Sequence, residues 1–216
     1  VTTQRSDGVL GFAHRGGRAD APDNSLEAFT KALARGARGL ESDVWLAPDG
    51  QPVLHHGPPH KEREVPLSLE GLFAACGTDY DLSLDMKGPG TATRTVEVAR
   101  AAGFDLARLW LCGGALSCAG WRELDPRLRL VTDMRWRDAL FDAERTMGVV
   151  AAAGVDAVNL RHGRWTHALV ERAHAAGLRA FAWDVQTRWG LRRVLRRGVD
   201  GVYSDHAALL VEGLPG

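Results

Sequence analysis

The chain has 216 residues, 45% of them hydrophobic and 25% charged, with 27 Lys and Arg set against 27 Asp and Glu. That length suits one α/β domain able to bury a core, and zero formal net charge excludes a nucleic-acid binder that works by neutralising many phosphates. No apolar run approaches the roughly 18 residues of a membrane span and no secretory h-region opens the sequence, so stable membrane insertion is not expected and a cytoplasmic location is. Cys76, Cys112 and Cys118 form neither a C-x-x-C pair nor an even framework, which argues against a disulfide scaffold.

The first predicted strand, 9–14, runs from Val9 through Phe12 into His14-Arg15-Gly16-Gly17. Asp23-Asn24-Ser25 then caps a helix over 25–35, where Leu26, Phe29, Ala32 and Leu33 recur at helical spacing and Gly36 ends the run. Strand 39–45 carries Glu41 and Asp43, an extra extended piece covers 52–56, and a helix follows at 67–76. Further strands at 81–86, 107–111, 128–132, 156–160, 178–184 and 200–204 alternate with helices near 91–102, 116–124, 138–153, 165–176, 187–197 and 205–212. Eight strand–helix units predict an α/β fold, a (β/α)8 TIM barrel in a single domain over 1–216, with a doubly wound open sheet as the alternative. No linker or composition shift divides the chain.

In such a barrel the reactive groups gather at the C-terminal ends of the strands. Here those ends carry His14, Arg15, Glu41, Asp43, Asp85 and Lys87 early on, then Asn159, Arg161, Trp183, Asp184 and Asp205. Glu41 and Asp43 stand two apart on a strand and therefore share a face, as do Asp85 and Lys87. Three carboxylates at one mouth repel by several kcal/mol unless a cation sits among them, and oxygen-only donors select a hard ion, Mg2+ or Ca2+. Lys87 is one of only three lysines among 27 basic residues; a compact point charge at a strand end suits a phosphoryl oxygen, although an ion pair with Asp85 or Glu41 accounts for it equally. His14 and His56 supply groups that titrate near neutrality. His55, His56 and His60 faintly suggest zinc, but two prolines limit their convergence. Asp205 reads equally as a group at the mouth and as a charge holding a helix N-terminus. His162, His167 and His174 read as solvent-facing, and Trp110, Trp121, Trp136, Trp165 and Trp189 as core or rim.

These residues resemble the glycerophosphodiester phosphodiesterase family. The likeness runs through His14-Arg15-Gly16, Pro22-Asp23-Asn24-Ser25, Glu41-Ser42-Asp43-Val44, Pro48-Asp49-Gly50 and Pro52-Val53-Leu54-His55-His56. It closes with Phe181-Ala182-Trp183-Asp184-Val185 and Gly198-Val199-Asp200-Gly201-Val202-Tyr203-Ser204-Asp205, so that it spans 11–205 in order. The resemblance implies Glu41 and Asp43 as metal ligands, with Asp85 as the third where the family has glutamate. It implies His14 and His56 as the catalytic pair, Arg15 and Lys87 as phosphate-binding groups and Trp183 as an aromatic pocket wall. The spacing from Gly50 selects His56 over His55, which an extended strand turns to the opposite face.

The expected activity is hydrolysis of a glycerophosphodiester to glycerol 3-phosphate and an alcohol, with one divalent cation, through a cyclic phosphate. The residues leave the order of the two histidines open; family precedent points to His56 as first base and His14 as acid. Two departures bear on this: Gly57 follows His56 where the family has aspartate, and Asp85 is one methylene shorter than glutamate. Both also resemble sphingomyelinase D-like phospholipases, so a cyclising enzyme acting on lysophospholipids is the alternative, and a catalytically weak phosphate-binding barrel a further one. The short stretch after His56 leaves little material for a lid and favours a small soluble substrate.

Overall fold

A computed structural model describes residues 8–58, 66–135, 137 and 142–215. Ten strands are ordered along the chain: β1 (Leu10–Ala13), β2 (Gly39–Leu46), β3 (Pro52–Leu54), β4 (Leu67–Ser68), β5 (Asp81–Met86), β6 (Leu109–Cys112), β7 (Arg129–Asp133), β8 (Ala157–Arg161), β9 (Arg179–Trp183) and β10 (Gly201–Ser204). Eight of them, β1, β2 and β5 to β10, pair in parallel, and β1 meets both β10 and β2, so the sheet closes into a barrel. Among the described residues eight α-helices surround it: α1 (Leu26–Ala34), α2 (Leu69–Cys76), α3 (Thr91–Ala101), α4 (Ala115–Trp121), α5 (Ala143–Ala152), α6 (His167–Ala175), α7 (Arg188–Arg197) and α8 (Ala207–Gly213). The expected (β/α)8 architecture is the one observed.

Local chemistry sets the boundaries. Ser25, Ser68, Thr166 and Thr187 each accept a hydrogen bond from the amide three residues on, starting α1, α2, α6 and α7. Gly198 ends α7 in the left-handed conformation. Leu67 and Ser68 pair with β3 as a short strand, so the helix expected from 67 begins at Leu69. The strand expected at 107 begins at Leu109, because Asp105 accepts from the Ala107 amide at 3.0 Å and winds Leu106–Arg108 into a 3-10 turn. The helix expected over 138–153 is described from Ala143; residues 138–141 lie outside the described set.

Two hydrophobic layers result. The outer one lies between strands and helices and includes Phe29, Leu40, Leu72, Leu84, Val96, Leu130, Trp165 and Leu191. The inner one fills the barrel with Phe12, Trp110, Val131, Ala157, Phe181 and Tyr203. Its four rings contact one another at centroid separations of 5.0 to 6.2 Å, including Phe12 stacked on Tyr203. This aromatic plug forms the floor of the mouth above it.

β2 is the longest strand and serves three neighbours. Its lower part meets β1 through the pair Ala13 and Leu40, and its first six residues, Gly39 to Val44, lie against β5. Its upper part turns to β3, pairing Val44 with Leu54 and Leu46 with Pro52 in antiparallel register. β1 and β2 therefore separate toward the mouth, and β3 brings the chain back beside Asp43, whose carbonyl accepts from the His55 amide at 3.0 Å.

Candidate active site

A cavity of about 410 Å³ opens at the C-terminal ends of the strands and is lined by His14, Arg15, Glu41, Asp43, His56, Asp85, Lys87 and Trp183, which are all eight sequence-predicted site residues. The wall made by β1, β2, β3 and β5 is densely charged. Register places Glu41 beside Ser83 and Asp43 beside Asp85, so the acidic groups stand on adjacent strands facing inward. Ser83 Oγ reaches Tyr203 Oη across the floor at 3.0 Å.

The His14-Arg15-Gly16 segment leaves β1 as a single 3-10 turn with Arg15 in the left-handed region, φ 50°. That conformation is costly for a side-chain-bearing residue, of the order of 1–3 kcal/mol. It aims the Arg15 amide at Glu41 Oε2 (2.9 Å) while the guanidinium reaches Asp43 (3.4 Å), Asp23 (3.1 Å) and His56 (2.7 Å). Gly16 has φ 80°, and a Cβ there would stand 2.8 Å from the Ala28 side chain, so glycine is required. Asn24, also left-handed, is buried and accepts from Ser42 Oγ at 2.7 Å, tying the α1 entry to β2. Within the expected capping triplet, then, Ser25 is the cap, Asp23 meets Arg15 and Asn24 is a tether.

His14 Nδ1 lies 2.6 Å from Asp205 Oδ1, and Asp205 also meets Arg18 at 3.1 Å. A carboxylate at that distance accepts from Nδ1–H and leaves Nε2 of the neutral ring as the lone-pair nitrogen. Burial lowers the His14 pKa, partly opposed by Asp205, so the neutral ring is favoured. The Asp205 carboxyl is held below its usual range by His14 and Arg18 in spite of partial burial. Its amide donates to Gln186 Oε1 at 3.0 Å. Asp205 thus orients a histidine, beyond the helix-end role read from sequence.

His56 faces the cavity, as spacing predicted. Its Nδ1 accepts from Arg15 at 2.7 Å and lies 3.3 Å from Asp43 Oδ2. As an acceptor from a guanidinium, Nδ1 leaves the ring proton on Nε2. His55 instead turns its Nδ1 to the Gly57 backbone, 2.7 Å from the Gly57 carbonyl oxygen, to which Nδ1–H donates. The zinc reading of this segment gains nothing: its two described imidazoles make different local contacts, and His60 lies outside the described residues.

Burial, with Asp43 and Asp85 nearby, pushes the Glu41 carboxyl up to about 8 against the Arg15 amide. Burial also raises Asp85, in opposition to Lys87. Desolvation would lower the Lys87 ammonium, but Asp85 and Asp43 outweigh it and hold Lys87 above its ordinary value. Lys87 pairs with Asp85 and lies 3.2 Å from Asp43; the expected alternative partner Glu41 is not among its contacts. Among the described residues no three His, Cys, Asp or Glu side chains form a ready-made metal cage.

The opposite wall is sparser. Asn159 on β8 donates to Asp133 on β7 at 2.9 Å, and its buried Oδ1 has no hydrogen-bond partner among the described residues. Trp183 ends β9 with 42% of its surface exposed. Asp184, left-handed at φ 62°, is held by two guanidinium nitrogens of Arg161 at 2.8 and 2.9 Å. Asp133, Arg18 and Gln186 are site residues that sequence reasoning did not single out; Asp133 closes its strand facing inward, the signal that identified its neighbours.

Elsewhere two expectations need correction. His162 is half-buried, with its pKa lowered by burial, and His174 is half-buried against Asp200 at 2.7 Å, so neither is simply solvent-facing. Trp110 and Trp165 are core, Trp121 is half-buried and Trp189 exposed, while Trp136 lies outside the described residues. All three cysteines are free, and among the described residues no helix is long and apolar enough to cross a membrane.

A closed parallel barrel with two imidazoles, three cationic side chains and a carboxylate cluster at one mouth defines an enzyme of the barrel phosphodiesterase class. Residues 14–65 and 104–209 match the pattern of the glycerophosphoryl diester phosphodiesterase family, and the chain belongs to that family. A glycerophosphodiester phosphodiesterase of Caldanaerobacter subterraneus is 21% identical over 241 residues, covering 94% of this chain and 96% of the relative. Glycerophosphodiester phosphodiesterase 1 of Rattus norvegicus is 50% identical over 75 residues, 35% of this chain and 21% of its own length. An Oleispira antarctica phosphodiesterase, solved with the product sn-glycerol-3-phosphate, superposes with a TM-score of 0.79 at 18% identity, over 95% of this chain and 96% of that one.

Proposed function

We propose that this protein hydrolyses glycerophosphodiesters to glycerol 3-phosphate and an alcohol, with His14 and His56 as the acid–base pair and one divalent cation as cofactor. The observation that carries this reading is the meeting of both imidazoles, Arg15, Lys87 and the three carboxylates in one cavity.

The donor chemistry fits a hard cation, Mg2+ or Ca2+. Glu41, Asp43 and Asp85 would hold it, and a carboxyl pushed up to about 8 by burial and by its acidic neighbours is a group that a cation returns to its ionised form. When bound, the ion would lower the pKa of the glycerol hydroxyl beside the ester and share charge on a non-bridging oxygen. Lys87, which now neutralises Asp43 and Asp85, would be released toward the phosphate.

Arg15 and Lys87 would steady the phosphoryl oxygens as charge accumulates on them. The hydrogen bonds favour His14 as first base, the reverse of family precedent. Asp205 fixes its Nδ1 proton and leaves Nε2 free to take the proton of the attacking glycerol hydroxyl. Once Arg15 is drawn to the phosphoryl oxygens, His56 acts as the imidazolium, with its Nδ1–H toward Asp43 Oδ2. It gives its Nε2 proton to the departing alcohol as the ester P–O bond breaks and a five-membered cyclic phosphate forms, and is left as the neutral imidazole. Water then opens the ring with the roles exchanged: His56 takes the water proton and His14 returns one to the glycerol oxygen. The alcohol would lie toward Trp183, whose exposed face suits a small head group.

Turnover of glycerophosphocholine, followed by phosphorus NMR, tests the reading. Activity lost to a chelator, restored by Mg2+ or Ca2+, and ending in glycerol 3-phosphate without an accumulating cyclic ester is the expected result; wild-type turnover by His14→Ala overturns it. A glycerophosphodiester with a nitrophenolate leaving group tests the roles. Such a group needs no acid, so His56→Ala should recover much of its lost rate on it while His14→Ala should not; recovery by His14→Ala reverses the assignment.

A further inference from the structure

Beneath the aromatic plug, at the N-terminal ends of the strands, lies a second and larger cavity of about 840 Å³. Its lining differs in kind from the mouth. Four arginines, Arg38, Arg108, Arg129 and Arg179, face a single carboxylate, Asp81. Two of the four are at least partly neutralised: Arg108 pairs with Asp79 at 2.6 Å and lies 3.7 Å from Asp81, and Arg129 reaches Asp156 at 3.6 Å. Asp156, however, is held more closely by Arg122, at 2.6 Å, and also accepts from the Leu130 amide. Arg179 lies over the Trp110 ring, 5.7 Å from its centroid. Neither Arg179 nor Arg38 has a carboxylate at ion-pair distance among the described residues.

The strand starts around this space pack closely on one another. Gly39 lies so close to β1 that a Cβ would stand 2.5 Å from the Gly11 carbonyl oxygen, and at Gly201 a Cβ would strike the Phe181 ring at 2.6 Å. On one side the cavity is closed by apolar groups, Leu10 from β1 with Leu210 and Leu214 from α8 and its exit. Phe12, Trp110, Phe181 and Tyr203 separate it from the mouth.

We propose that this lower cavity is a second anion site, which takes a small organic phosphate. Like charges gathered around a concave, partly apolar space raise its potential, and an anion relieves their repulsion. The planar fork of a guanidinium matches phosphate oxygens in pairs. Four forks around one cavity suit a phosphomonoester or a diphosphate, with its uncharged part against Leu10, Leu210 and Leu214. Active groups of such barrels sit at the opposite end, so the site acts by binding: a ligand held only by the folded barrel stabilises it by mass action.

Calorimetric titration with pyrophosphate at low salt tests this, since the probe can enter both cavities. Wild-type protein should bind at two sites. Lys87→Gln, which weakens the mouth, should leave the lower site intact. Arg38→Gln should weaken the lower site about tenfold, the scale of one charge-assisted hydrogen bond, and Arg38→Gln/Arg179→Gln should abolish it with glycerophosphodiester turnover within twofold of wild type. Because Arg179 packs on Trp110, the double variant could fail to fold; exposed Arg38 alone then decides. A single site that vanishes in Lys87→Gln, or two sites indifferent to Arg38→Gln, overturns the proposal.

Discussion

The two walls of the mouth are built to different standards. On the side of β1, β2, β3 and β5 the charged groups engage one another: His14 on Asp205, Arg15 on Glu41, Asp43, Asp23 and His56, and Lys87 on Asp43 and Asp85. Arg15 Nε, buried without a hydrogen bond among the described residues, still lies 3.4 Å from the Asp43 carboxylate. On the side of β7, β8 and β9 an Asn159 oxygen is buried without a hydrogen-bond partner among the described residues and an indole face lies open. The lesson is one of division. On the proposed reading, the groups assigned to phosphorus are held in advance, whereas those assigned to a variable alcohol are left more open until it arrives.

The sharpest way to break this comparison is to remove its central imidazole. His14→Ala should lower kcat/KM for glycerophosphocholine by on the order of 10³-fold or more, the scale lost with a general base that nothing replaces; steady-state kinetics reads it. Asp205→Asn leaves His14 in place but offers its Nδ1 an amide, which can support the wrong tautomer. It should lower kcat by roughly 10- to 100-fold with KM nearly unchanged, and a purely structural role would instead appear as a lower melting temperature with normal kcat.

Across the cavity the effects should be smaller and of another kind. Trp183→Ala should raise KM about three- to tenfold while kcat holds within twofold, because it removes contact made equally in ground and transition states. A kcat loss matching that of His14→Ala would erase the distinction between the walls. Gly57→Asp should change turnover least, within about threefold. A side chain there would meet no atom nearer than His55 at 3.7 Å, and Gly57 has no left-handed backbone demand. Comparing the pH–rate profiles of wild type and Gly57→Asp would show whether a carboxylate beside His56 alters its titration.

Much of this was legible in the residues because a barrel imposes a simple grammar. Each strand end in the chain is a place at the mouth, and the two-residue period of a strand puts Glu41 with Asp43 and Asp85 with Lys87 on one face. Glycine and Ser/Thr punctuation located the helices to within a few residues, except where tertiary pairing took Leu67 and Ser68 into a strand and Asp105 wound a turn ahead of β6. What stayed hidden depends on distances across the barrel. Nothing in the closing Asp205 distinguishes a helix-end charge from a partner for His14, 191 residues away in sequence. Likewise, the arginines at 38, 108, 129 and 179 are unremarkable in a chain so rich in that residue, until closure sets them around one space.

The separation of β1 from β2 above Ala13 and Leu40 has a mechanical consequence. Closure there rests on one matched residue pair, while β2 and β5 are matched at six, and His14 and Glu41, both part of the proposed chemistry, sit just past that thin stitch on opposite lips. Breathing of the cylinder should begin at this seam. Hydrogen exchange would then find the β1 amides facing β2 opening sooner than those of the β2–β5 ladder, and gentle heating should cost turnover before it costs helix content.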